Sequence, residues 1–371
     1  MNRLKNLSSF IVMDIVREAL KYEDSIHFEV GQPDLPPSLK VKEALLDAVK
    51  KERFSYTESL GLVVLREKIQ KHYKKIYGVD IKKENILITP GTSGAFLVAY
   101  SLACDYNERL GFCDPGYPCY KNFSYILGIK ANFIDVFEDS GYRITPSHLK
   151  NRSIKALQIS NPANPTGNIY TKEQLKELIE YCQKNGISFI SDELYHGLVY
   201  DDEVTTALKF SDDVFVINGF SKYYCMPGFR VGWLITPSRY IKKAEEIAQN
   251  LFISAPTLSQ YAAMEAFDYE YLNSVRETFR KRRDYLFNEL KEIFKVPSLP
   301  KGAFYIWADI SRYGNDSFSF ARELLEKIHV AVTPGKDFGM NQTHKFIRFA
   351  YTTEIKKMEE GIERIKKHLK I

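Results

Sequence analysis

Apolar positions along the chain follow two rhythms, and the change from one to the other predicts its organisation. In residues 8–21, Ile11, Val12, Ile15, Val16, Ala19 and Leu20 recur at helical spacing behind Ser8 or Ser9 as an N-cap. That is the pattern of an amphipathic helix in need of a partner surface. A Gly- and Pro-rich loop over 31–37 and a short helix over 41–50 follow. From residue 86, continuous apolar runs at 86–89, 109–113, 154–159, 187–190, 214–217 and 231–235 read as strands, with helices at 93–104, 118–127 and 172–184 among them. Continuous apolar strands separated by crossover-length helices predict a parallel sheet covered on both faces. The chain is then mostly helical to about residue 294, after which strands near 304–310, 330–333 and 346–349 alternate with helices near 318–328 and 354–369. The expected organisation is an N-terminal arm with part of a small domain over 1–44, a large α/β domain over 45–280 and a small α+β domain over 281–371.

Ligands of open parallel sheets bind at the carboxyl ends of the strands, so candidate chemistry is sought there. After 86–89 comes Pro90-Gly91-Thr92-Ser93-Gly94-Ala95. Small residues and hydroxyls opening a helix present N–H groups and a favourable dipole to an anion. No Lys stands where a nucleotide P-loop needs one, and no G-x-G-x-x-G follows a strand, so ATP and NAD fit poorly. Asp192, in Asp192-Glu193-Leu194-Tyr195, follows the run at 187–190; it can cap a helix or hold a ligand's positive charge in a low-dielectric site. Lys222 follows Ser221 just beyond the run at 214–217. A long amine directly after a core strand loses hydration unless a partner or a covalent adduct takes its charge, the alternative being to snorkel to the surface. An anion cradle, a buried carboxylate and a reactive lysine are together what pyridoxal 5′-phosphate needs, for its phosphate, its pyridine nitrogen and a Schiff base.

Composition excludes other classes. The 371 residues, 44% hydrophobic and 27% charged, are those of a folded globular protein of two to three domains. A net charge of +5, spread along the chain, does not favour nucleic acid as a partner. Five cysteines without a C-x-x-C pair suggest free thiols in a reducing compartment. No apolar run approaches the roughly 20 residues that span a bilayer, and 10–12 is too short for a signal-peptide core, so the expectation is a cytoplasmic protein without a membrane partner. Seven scattered histidines with no H-E-x-x-H and no Cys/His cluster imply no metal site, and His196 reads as a packing or hydrogen-bonding residue.

From about Ser8 to its end the chain resembles the class I aminotransferases of the pyridoxal-phosphate fold-type I superfamily. The resemblance rests on Gly31-Gln32-Pro33-Asp34, Tyr56-Thr57 with Gly61 and Leu65-Arg66, and Asp114-Pro115-Gly116-Tyr117-Pro118. It continues through Asn161-Pro162-Ala163-Asn164-Pro165-Thr166-Gly167, Asp192-Glu193-Leu194-Tyr195, Ser221-Lys222 with Arg230, and Arg348. It implies an α/β fold of the fold-type I class, a mostly parallel sheet flanked by helices plus a smaller α+β domain. It also implies that Lys222 forms the Schiff base and moves the substrate proton, that Asp192 pairs with the pyridine nitrogen, that Asn164 and Tyr195 hydrogen-bond the ring's phenolic oxygen, and that Tyr117 stacks on the ring. Gly91, Thr92, Ser93 and Arg230 would cup the phosphate, with Tyr56 reaching in from a second subunit of a homodimer; Arg348, helped by the Gly31 backbone, would grip the substrate α-carboxylate.

The chain departs from the family pattern in having Gly219 where Ser is frequent, and Asp105-Tyr106-Asn107-Glu108 in place of a Pro-Gly-Asp turn. Dicarboxylate-specific relatives carry a second arginine in the stretch corresponding to 248–254, and here that stretch holds no basic residue. A neutral or aromatic amino donor and a 2-oxo acid acceptor are therefore the expected substrates. A fold-type I lyase, such as a cysteine-conjugate C–S β-lyase, would use the same residues. A non-enzymatic cofactor-binding regulator is the rival of another class, against which Lys222 and Asp192 both argue.

Overall fold

The computed structural model describes residues 3–371. Its strands are β1 (Ile26–His27), β2 (Ile86–Thr89), β3 (Arg109–Asp114), β4 (Lys130–Asp135), β5 (Ala156–Ser160) and β6 (Ser188–Asp192). They continue with β7 (Val214–Gly219), β8 (Gly232–Ile235), β9 (Tyr305–Asp309), β10 (Val330–Ala331), β11 (Thr333–Pro334) and β12 (Phe346–Ala350). Seven form one sheet in the order β2-β8-β7-β6-β5-β3-β4. Pairing is parallel from β7 to β4, while β8 is antiparallel to both of its neighbours. This agrees with the mostly parallel sheet expected, the run at 231–235 being the strand that enters reversed. Every position of β2, β7 and β8 is buried, which requires helices on both faces.

Most helices lie where the pattern places them, and local chemistry explains their ends. Lys172–Lys184 begins with a reciprocal cap in which Thr171 Oγ1 accepts from Gln174 N–H and Gln174 Oε1 accepts from Thr171 N–H. The N-terminal helix is shorter than expected, Ile11–Ala19, and neither Ser8 nor Ser9 caps it. Its first N–H groups, of Ile11 and Val12, donate instead to the carboxylate of Asp337 at 2.9 and 3.3 Å. Ile15 and Ala19 bury their faces against Leu325 and Ala331. The helix Val63–Tyr77 and the strands β1 and β4 have no counterpart in the pattern reading.

The C-terminal section holds a three-stranded antiparallel sheet, β11-β12-β9, beside the parallel pair β1-β10. The single strand expected over 330–333 is therefore two, β10 and β11, which join different sheets. The segment leading to Gly31 is stitched into this section: Phe28 N–H donates to Ala331 O, and Ala350 N–H donates to Phe28 O. Asp34 then meets Arg282, on the helix Tyr269–Ile293, through two hydrogen bonds of 2.6 and 2.8 Å.

Arg282 is almost fully buried and Asp34 is one-third exposed. Truncation by Arg282→Ala is expected to cost about 1 to 2 kcal/mol, seen as a melting temperature lower by a few degrees in calorimetry. An unchanged melting curve would show that other contacts hold the loop at 31–37.

Candidate active site

Strands β2, β3, β5, β6 and β7 point their carboxyl ends at one cavity of about 580 Å³. Thr92 and Ser93 come from the helix after β2, Tyr117 and Tyr120 from beyond β3, Asn164 from the loop after β5, Asp192 from the end of β6, and Ser221 and Lys222 from beyond β7. Arg230 joins them because β8 is reversed, so that its amino end lies where its neighbours end. Gly31, Tyr305, Phe338 and Arg348 line the same cavity from the C-terminal section and the segment stitched to it. The helix Ile11–Ala19 adds Val12, Met13 and Val16, with Phe10 just before it.

Lys222 and Asp192 are the buried charges of this cavity whose pKa values are shifted toward neutral pH. Burial, with Arg348 and Arg230 nearby, lowers the Lys222 ammonium to about 8, so near physiological pH far more of the amine is neutral than in a free lysine, although the ammonium still predominates. Its Nζ donates to Gly31 O at 2.5 Å. Burial raises the Asp192 carboxyl to about 6, against hydrogen bonds from the Tyr120 hydroxyl at 2.5 Å and Leu194 N–H at 3.1 Å. A carboxylate held this way is relieved by a cation placed against it.

Arg348 is 5% exposed, yet among the described residues no carboxylate is paired with it. Its guanidinium donates to Asn164 Oδ1 at 2.9 Å, Glu29 O at 2.9 Å and Thr333 Oγ1 at 3.2 Å, and among the same residues Nε has no hydrogen-bond partner. The rings of Tyr305 and Phe338 lie 4.1 and 4.8 Å from it. Because Asn164 spends its oxygen on Arg348, its Nδ2 amide is left as the donor toward a ligand. The Tyr195 hydroxyl is 2.8 Å from that of Tyr305, and Tyr117 packs edge-on against Tyr120.

At the other end of the cavity Arg230, with a backbone φ of 53°, bonds to Pro227 O and Ser221 Oγ. The Gly91 N–H donates to Arg230 O at 3.0 Å, and a Cβ there would overlap the Arg230 guanidinium. Its lack of a side chain makes room for the cation. Thr92, Ser93, Ser221 and Arg230 line the cavity near the start of the helix Gly91–Ala103, where backbone N–H groups and the helix dipole favour an anion. At Gly219 a Cβ would lie 3.1 Å from Gly232 Cα and from Thr92 Cγ2, so a serine here would crowd Thr92. A cavity lined by small hydroxyl residues with an arginine at a helix start, a buried carboxylate that favours a cation and a lysine of lowered basicity fits pyridoxal phosphate.

Tyr56 lies outside this cavity and is 78% exposed. His196 is buried, its Nδ1 hydrogen-bonded to the Tyr77 hydroxyl, and burial lowers it to about 3. Tyr120, Tyr305, Phe338 and Asp337 are cavity residues that the sequence pattern does not single out. Tyr120 alone carried a signal, three residues past Tyr117 on the expected helix at 118–127. All five cysteines are free, and no helix among the described residues is long and apolar enough to cross a membrane.

The sequence model of the family described as aminotransferase class I and II matches residues 23–365. The chain is 38% identical to a (5-formylfuran-3-yl)methyl phosphate transaminase of Methanocaldococcus jannaschii, over 99% of this chain and 98% of that protein. It is 32% identical to a valine–pyruvate aminotransferase of Mycobacterium tuberculosis, over 96% and 95%. A solved aminotransferase structure from Mycobacterium tuberculosis superposes with a TM-score of 0.96 at 31% identity, covering 100% and 98% of the two chains. Another from Methanococcus jannaschii, whose active site is described as similar to those of kynurenine aminotransferases, superposes with a TM-score of 0.91 at 37% identity over 100% and 99%.

The Asp192 carboxyl gives this site a pH dependence of known sign. A bound pyridinium favours the ionised carboxylate, so cofactor binding strengthens as pH rises through about 6 and weakens below it. Pyridoxamine phosphate titrated into cofactor-free protein is expected to show a wild-type advantage over Asp192→Asn that grows roughly tenfold from pH 5 to 7 and then levels. A constant ratio across that range would place the pyridine nitrogen elsewhere.

Proposed function

The chain belongs to the class I and II aminotransferases, and on that premise we propose that Lys222 is its reactive amine and that its amino donor carries a neutral or aromatic side chain. The protein is a pyridoxal-phosphate-dependent aminotransferase, which moves an amino group between an amino acid and a 2-oxo acid. The observation that carries the residue assignment is the convergence of Lys222, Asp192 and Arg348 on one cavity.

The bound cofactor supplies an aldehyde that takes up amino groups and a protonated pyridine ring that withdraws electrons. The chain's own residues do the rest. Asp192 would hold the ring's N–H proton in place. Asn164 Nδ2 and the Tyr195 hydroxyl would donate to the phenolic oxygen, and Tyr117 would cover a ring face. Thr92, Ser93, Ser221 and Arg230 would hold the phosphate. Arg348 would take the α-carboxylate, which would hold the substrate's Cα–H bond near Lys222, where the neutral Nζ would serve as the proton's acceptor and donor.

The side-chain preference rests on what faces the substrate. The cations lining the cavity among the described residues are Lys222, Arg230 and Arg348, each with a task above. Arg17, on the adjoining helix, is outside the cavity and paired with Asp14 at 3.0 Å. Phe10, Val12, Met13, Val16 and Phe338 instead form an apolar wall, where a second carboxylate would be desolvated without a partner. The active unit in this reading is a homodimer that takes Tyr56 into the neighbouring site. Phe54, Tyr56, Leu251 and Ile253 are all exposed, and a hydrogen bond from Thr257 Oγ1 to Ser55 O joins the two segments that bear them. Exposed apolar clusters of this kind favour association.

Borohydride reduction of the loaded enzyme is expected to fix cofactor on Lys222 alone, and Lys222→Ala to bind cofactor without that linkage; attachment at another lysine would overturn the assignment. Single amino acids added without a keto acid are expected to leave a stable amine form of the cofactor and one keto acid per site. Continuing release of pyruvate or sulfide would replace the transaminase reading with the lyase one. Arg348→Ala is expected to lower kcat/KM by roughly 10- to 150-fold, and unchanged kinetics would mean that another group reads the carboxylate.

A further inference from the structure

We propose that Tyr305 is a positioning residue that sets two parts of the site at once, the Tyr195 phenol through its hydroxyl and the Arg348 guanidinium through its ring. The proposal rests on the roles given above to Tyr195 and Arg348.

Strand register places the ring. β9 and β12 are antiparallel, with Tyr305 opposite Ala350 and Trp307 opposite Arg348. Tyr305 and Arg348 are therefore diagonal neighbours on one face of the sheet, within reach of long and aromatic side chains. The guanidinium carbon sits 4.1 Å from the Tyr305 ring centroid, close enough for a cation–π contact with a guanidinium that is itself only 5% exposed. The same diagonal relation stacks Trp307 on Phe346 at 4.9 Å, one pair further along the strands. With Phe338 also against the guanidinium, the orientation of Arg348 is defined by rings as well as by its three hydrogen bonds.

The hydroxyl reaches the other half of the site. It lies 2.8 Å from the Tyr195 hydroxyl, the two rings meeting at 77°. A Cβ on residue 31 would lie 2.5 Å from this hydroxyl, so Gly31 is required where its carbonyl receives Lys222 Nζ. Tyr305 is 1% exposed and burial raises its pKa, so the phenol stays neutral and has one proton to give. When Tyr195 donates its own proton to the cofactor's phenolic oxygen, its oxygen is free to accept that of Tyr305. A phenol that accepts one hydrogen bond donates a stronger one. The two hydroxyls form a short relay that ends on the phenolic oxygen, and the ring at its origin also carries the carboxylate-binding cation.

Tyr305→Phe removes the hydroxyl and keeps the ring. In the loaded enzyme, the spectroscopic pKa of the bound cofactor is expected to rise by about half to one pH unit, while amino-acid KM stays within about twofold. Tyr305→Leu removes both and is expected to add a roughly 3- to 30-fold rise in KM. In a Tyr195→Phe background, Tyr305→Phe is expected to move the spectroscopic pKa no further, because its effect passes through Tyr195. A spectroscopic pKa unmoved by Tyr305→Phe, or moved equally with Tyr195 absent, would overturn the relay; a KM raised as much by Phe as by Leu would overturn the ring's part. The underlying reading fails separately, if Arg348→Ala leaves KM unchanged or if Tyr195→Phe leaves the spectroscopic pKa unchanged. Melting curves and cofactor occupancy identify a misfolded Leu variant, and the Phe variants then decide the relay by themselves.

Discussion

One buried guanidinium holds the parts of this site together. Arg348 leaves β12 and bonds to Asn164 from the seven-stranded sheet, to the Glu29 carbonyl from the N-terminal segment and to Thr333 on β11. Three stretches far apart in sequence meet at a single charge. Among the described residues no carboxylate is ion-paired with it, the nearby Asp337 only feeling its charge, and its Nε–H has no hydrogen-bond partner. Burying a cation in this state is costly, and the cost is lowest when an anion occupies the cavity. In the reading proposed above, that anion is the carboxylate of the substrate amino acid.

The neighbouring groups keep this cation from collapsing onto the protein. Phe338 is carried there by a loop fastened to the end of β3: Gly116 N–H donates to Phe338 O, and the Asp114 carboxylate accepts from the N–H groups of Met340 and Asn341. Asp337 in the same loop caps the helix Ile11–Ala19, whose apolar residues wall the cavity. Arg348 in turn keeps Lys222 less basic, since a second positive charge nearby disfavours the ammonium. The guanidinium, the cavity wall and the lysine of lowered basicity are thus linked through the Asp337–Phe338 loop and through charge.

Legibility in the sequence followed exposure and charge. The runs at 86–89 and 172–184 agree with β2 and with the helix Lys172–Lys184 because one is apolar throughout and the other has a clear period and a Thr cap. Val63–Tyr77 escaped because it buries Arg66 and His72 while leaving Val63 and Val64 exposed, which blurs any apolar period. β4 escaped because it is an edge strand, mostly half-exposed, and lacks the continuous apolar run of its central neighbours. The chain end of the N-terminal helix was misread because its cap comes from a residue more than 300 positions away.

The sequence by itself determined the residue types and their order: a cradle of small residues after one apolar strand, an aspartate at the end of another, a lysine just beyond a third and an arginine on a late strand. Those facts are local, and backbone direction within a strand carries each residue to a strand end without reference to the rest of the fold. Tertiary structure alone decided which ends coincide. The reversal of β8 brings Arg230 to the edge where Lys222 and Asp192 emerge. The register of β9 on β12 lays the Tyr305 ring on Arg348 and aims its hydroxyl at Tyr195. Strand direction and register are set by pairing with distant partners, through hydrogen bonds that any sequence can make and side-chain packing that only the assembled core selects.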